Sequence, residues 1–125
     1  MSAGVIYLWI AAVVTVGFGL AYLVRSAAMA RFVGLALPSA SARADYRAIY
    51  GGAQIGIGVF FAAAARHRDW DAPGLWAAAL FAIGFGLVRL GSLALDRASR
   101  RNPQWVVGVL ELTAGIAATW LAHRA

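Results

Sequence analysis

The chain has 125 residues, 62% of them hydrophobic and only 13% charged, with a formal net charge of +6. Together with a mean hydropathy of +0.74, this composition excludes an ordinary soluble domain and a disordered tail, and the length suits one small domain. Cysteine is absent, which removes disulfides, thiolate nucleophiles and Cys-ligated metal sites from consideration.

The first apolar run extends from Gly4 to Val24. Ala28-Met29-Ala30 resembles a small-residue cleavage site, but the run exceeds the ~7 to 15 residues of a signal-peptide core and no basic segment precedes it, so a retained helix is expected. In the connection from Arg25 to Asp45, the stretch Met29 to Leu37 is too short to span a bilayer and is read as an interfacial or re-entrant segment that stops at Pro38. A second run covers Ala48 to Ala65. The polar turn from Arg66 to Pro73, with Asp69 and Asp71, leads into a third, Gly74 to Leu95. Asn102-Pro103 precedes the fourth, Trp105 to Ala122. Each run approaches the ~20 residues that cross a bilayer as a helix. Long unbroken apolar runs do not suit a barrel, whose strands are shorter and alternate in polarity. The expected fold is therefore all-α: an integral membrane protein in which a single domain forms an antiparallel bundle of four transmembrane helices.

All eleven basic residues are arginine. Arg25, Arg31, Arg43 and Arg47 surround the first connection and Arg97, Arg100 and Arg101 the third, whereas Arg66, Arg68 and Arg124 mark the other side. The positive-inside rule then puts the first and third connections in the cytoplasm and both termini outside. Tyr7, Trp9, Trp70, Trp76 and Trp120 fall near the outer edge, and Tyr22, Tyr46, Tyr50 and Trp105 near the inner one, as two interfacial belts. Because the charges flank apolar spans and make no basic stripe, nucleic acid is not an expected partner.

Arg89 and Glu111 lie inside the third and fourth runs. Counted inward from the same edge, Arg89, Glu111 and Gln54 are each about six or seven residues deep, or ~10 Å at 1.5 Å per residue. A lone charge at the bilayer centre costs about 2.5 to 3.5 kcal/mol, so such groups face the interior and pair. Two roles are open: a buried ion pair locking the last two helices, with Gln54 completing its hydrogen bonds, or a polar pocket or proton relay that uses Glu111. Gly52 and Gly56 form a GxxxG pair, with Gly51 and Gly58 nearby, and Gly17, Gly19, Gly84, Gly86, Gly108 and Gly115 thin the other runs; these glycines are expected to serve close helix packing. A phosphate-binding loop is excluded, since no strand precedes Gly51-Gly52 and no GK[ST] follows. His67 and His123 lack companions at metal-ligand spacing, so no metal or cofactor is expected.

The segment Ala44-Asp45-Tyr46-Arg47-Ala48-Ile49-Tyr50-Gly51-Gly52-Ala53-Gln54, followed by Gly56 and Gly58, with Arg89 before Gly91 and Glu111 in the last run, resembles the pattern of a family of small four-helix bacterial membrane proteins classed as a domain of unknown function. More distantly it is similar to the DoxX-like membrane proteins. The resemblance implies a multi-pass protein of the bacterial inner membrane and singles out Arg47, Tyr50, Gln54, Arg89 and Glu111 as its polar centre or ligand site; it implies no reaction.

The expected function is a non-enzymatic accessory module, or one that binds a small molecule or lipid. Its partners are the lipid bilayer and either further copies of the chain or another membrane protein. A small oligomeric transporter or channel is the alternative. It is similar in size to exporters and halide channels built from four-helix subunits, but their acidic residue in the first helix has no counterpart here, where Thr15 is the polar group. An intramembrane enzyme is disfavoured, because Glu111 has no nucleophile or second carboxylate at its depth.

Overall fold

The computed structural model describes residues 1–96 and 104–125, and these are all-α, without a strand. In chain order they form α1 (Ala3–Val24), α2 (Ser26–Phe32), α3 (Ala40–Tyr46), a π-helical stretch (Arg47–Gly52), α4 (Ala53–Arg66), a 3₁₀ turn (Arg68–Trp70), α5 (Asp71–Leu95) and α6 (Gln104–Ala122). Four stretches are long and apolar enough to cross a membrane: Ala3–Val24, Ala40–Arg66, Arg68–Leu95 and Gln104–Ala122. Arg97, Arg100, Arg101 and the Asn102-Pro103 helix start lie outside the described residues.

Local chemistry sets these boundaries. Ser2 caps α1 by accepting a hydrogen bond from the Val5 N–H at 3.3 Å, and Ser39 caps α3 by accepting from Ala42 at 3.0 Å. The Ser39 cap starts the second long helix at Ala40, eight residues before the apolar run at Ala48, because Ser41, Arg43, Asp45 and Arg47 are polar yet helical. The interfacial segment also differs from expectation. Its helix is Ser26–Phe32 and ends well before Pro38, because Gly34 adopts φ 78° and closes a Schellman turn. There the Leu35 N–H donates to the Ala30 carbonyl at 2.8 Å, and the Gly34 N–H donates to Arg31 at 3.0 Å. Pro73 sits in the first turn of α5, where its missing N–H removes only a donor that the helix would leave unpaired, and Asp71 in the same turn complements the helix dipole.

The chain divides into two compact units, Trp9–Ala63 and Met1–Leu8 with Ala64–Ala125. In the first unit α1 packs antiparallel to the helix running from Ala40 to Arg66, and small residues set the approach. A Cβ on Gly58 would come 2.5 Å from Val16 and 3.0 Å from the Ala12 carbonyl oxygen, while Gly51 faces Leu23 and Gly19 faces Ile55 and the Gly51 carbonyl. The Gly52/Gly56 pair expected to make this contact does not: both are exposed, and a Cβ on Gly56 would meet nothing within 4 Å. Gly51, one residue before that pair, and Gly58, two residues after it, take the packed face.

In the second unit α5 and α6 lie antiparallel, with Gly86 against Gly108 and Leu112, Gly108 against Leu90, and Gly115 against Ile83 and Ala79. The first turns of α1 join this unit: Leu8 is fully buried beside Gly74, and the Tyr7 hydroxyl donates to the Ala114 carbonyl at 2.9 Å. This carbonyl is the kind of partner that a partly buried phenol needs.

Candidate functional site

Arg89 stands six residues from the end of α5, and Glu111 lies two turns into α6. Gly108 sits one turn before Glu111, on the same face, and a Cβ there would lie 3.5 Å from Arg89 Cδ, so its lack of a side chain gives the long arginine stem room between the helices. Arg89 Nε donates to Glu111 Oε2 at 2.9 Å and Nη2 to Oε1 at 3.0 Å. This is the bidentate fork that fixes a guanidinium and a carboxylate in one plane. Nη1 donates to Gln104 Oε1. Sequence reasoning passed over Gln104, although a signal existed: it precedes Glu111 by seven residues, two helical turns, and so shares its face.

Every guanidinium nitrogen thus has a partner on α6, and both carboxylate oxygens are occupied. The side chains of Arg89 and Glu111 are 29% and 22% exposed, so the group is partly buried. Its chemistry is that of a clamp. A base would need an accessible lone pair, and a nucleophile would need a neighbour to activate it.

Arg47, Tyr50 and Gln54 belong to the other unit, on and just after the π-helical stretch. The Ala53 N–H reaches five residues back to the Ala48 carbonyl, the bond that defines a π-turn; such turns are rare and frequent at functional positions. Tyr50 stacks on Tyr46 with ring centroids 4.6 Å apart, and Tyr22 of α1 contacts both rings, at 5.5 Å from Tyr50 and 5.8 Å from Tyr46. Tyr46 is buried, and among the described residues its hydroxyl has no hydrogen-bond partner. Arg47 is exposed and Gln54 half-buried; among the described residues neither side chain makes an ion pair or hydrogen bond. No group of three His, Asp or Glu residues able to hold a metal occurs among the described residues.

Four span-length apolar helices, with an arginine and a glutamate joined within the last two, define a class of small helical protein built to the dimensions of a membrane. Within that class, the chain belongs to the family described as a domain of unknown function (DUF4345), whose model matches residues 5–122. No curated protein and no solved structure matches it.

Proposed function

We propose that this is a multi-pass protein of a bacterial inner membrane that works without catalysis, as an accessory or small-ligand or lipid-binding module, and that Arg89, Glu111 and Gln104 clamp its last two helices. The fork from Arg89 to both oxygens of Glu111, extended by Gln104, carries this reading, because a carboxylate whose two oxygens accept from one guanidinium is held in a fixed place between the helices. Residues Arg47, Tyr50 and Gln54 remain the candidate ligand positions, and the partner is a second copy or another membrane protein. The four apolar stretches support the membrane setting.

Membranes bearing the protein, washed in alkaline carbonate, test the setting: the chain should stay in the pellet and leave only with detergent. A hydrophobic carbodiimide then tests the clamp. Glu111 in the folded protein should resist labelling at every pH, and proteoliposomes should show no flux that Glu111→Gln abolishes. Labelling that rises as pH falls, together with flux lost in Glu111→Gln, would replace this reading with a transporter.

A further inference from the structure

Arg31 and Arg43 face a cleft of about 250 Å³ formed by α2, the chain after its Schellman turn and the start of α3. Ala30, 1% exposed, forms its floor, and Leu35 and Leu37 line the wall that the Gly34 turn folds back. The cleft therefore pairs an apolar base with two cationic arms. Neither arginine has an ion-pair partner among the described residues. Asp45, the one acid between Arg25 and Arg47, lies two positions from Arg43 on the same helix, a spacing at which side chains do not face each other. Alongside, Phe32 is 69% and Leu35 41% exposed, so apolar side chains project from the segment that bears the charges. The segment follows the 22-residue apolar helix α1 directly, at the level where lipid phosphates lie when that helix spans a bilayer.

We infer that this cleft holds the headgroup of an anionic phospholipid, its phosphate gripped by the guanidinium groups of Arg31 and Arg43 and its glycerol carbons resting on Ala30 and Leu37. The inference rests on the membrane setting proposed above. Planar guanidinium forks match phosphate oxygens two at a time, and two unneutralised cations favour a net-negative headgroup over a zwitterion. The apolar floor and the exposed Phe32 distinguish a lipid from a free phosphate ion, which gains nothing from a hydrophobic wall.

Native mass spectrometry of the full chain in nonionic detergent tests the site, with dioleoylphosphatidylglycerol, dioleoylphosphatidylcholine or inorganic phosphate as the added probe. Phosphatidylglycerol should bind at least tenfold more tightly than phosphatidylcholine. Since each arginine near an anionic surface contributes roughly a fivefold gain, the Arg31→Gln/Arg43→Gln variant should lose about 25-fold in phosphatidylglycerol affinity. Arg68→Gln, in the turn before α5, should change nothing. Equal binding of the two lipids, an unchanged double variant, or displacement of phosphatidylglycerol by an equal concentration of phosphate would each overturn the assignment. Should the double variant misfold, the lipid comparison on the unmodified chain still decides. Carbonate washing separates the two hypotheses: loss of the chain from the pellet defeats the membrane setting, whereas a retained chain without lipid preference defeats only the cleft.

Discussion

Arg89 commits all of its guanidinium nitrogens to α6, so removing one partner strands a charge instead of merely deleting a contact. A fully buried pair loses ~3 to 5 kcal/mol when one member is removed; with both side chains here partly exposed, Glu111→Ala should cost about 2 kcal/mol. Replacing both residues by leucine should cost less than the single change, and equal melting losses in detergent would contradict the clamp. Gln104→Leu should cost about 1 kcal/mol, the scale of one partly exposed hydrogen bond to a charged group. Tyr46 predicts the opposite sign. Its buried hydroxyl lacks a partner among the described residues, so Tyr46→Phe should leave the melting temperature unchanged or raise it, by up to about 1 kcal/mol in stability. A clear loss of stability would mean that the hydroxyl has a partner after all. Arg89 and Glu111 were legible in the sequence because a charge within an apolar run is conspicuous. Gln104 was harder to see, since an uncharged amide at the end of a run looks like the boundary itself and only its two-turn spacing from Glu111 marks it.

Among the elements, the four long helices follow directly from run length, while their starts follow from caps that hydropathy does not see. Ser39 begins a helix inside a polar stretch, and only the donor-acceptor geometry of its hydroxyl shows it. Glycine spacing was a weaker guide, for a GxxxG pair says that small residues are close on one face without saying which face meets a partner. Two substitutions make the distinction measurable. At Gly115 a Cβ would press on Ile83 Cγ1 at 2.5 Å and on the Ile83 backbone nitrogen at 3.0 Å, so Gly115→Ala should destabilise by about 1 to 3 kcal/mol, the usual cost of overpacking. At Gly56 the space is open. Gly56→Ala should be neutral or stabilising by up to ~1 kcal/mol through better helix propensity. Thermal melting in one detergent should therefore fall for Gly115→Ala and hold or rise for Gly56→Ala, and a loss in both would show that the Gly56 face is occupied.

At the scale of the whole molecule, the arginine distribution predicts orientation. The chain has no native cysteine, so single cysteines report cleanly on sidedness. A thiol reagent that cannot cross membranes should label Arg68→Cys in intact cells and Arg25→Cys only after the cells are opened; the reverse pattern would invert the topology. The span from Ala40 to Arg66 also carries a consequence for how such chains tolerate length changes. Its π-helical stretch holds one residue more than an α-helix needs for the same climb, so deleting one residue between Arg47 and Gly52 would leave a continuous helix. A π-turn takes about one residue more than an α-turn, so the extra residue is absorbed within the bulge and the α-helical parts on either side keep their register. Deleting Ala48 should therefore leave Tyr46 and Gly58 on the faces they now occupy, with helical content and cooperative melting both retained. Deleting Ile57, in the regular helix, has no such slack: each α-helical residue turns the chain by about 100°, so Gly51 and Gly58 would no longer face α1 together, and tertiary melting should be lost with helical content preserved.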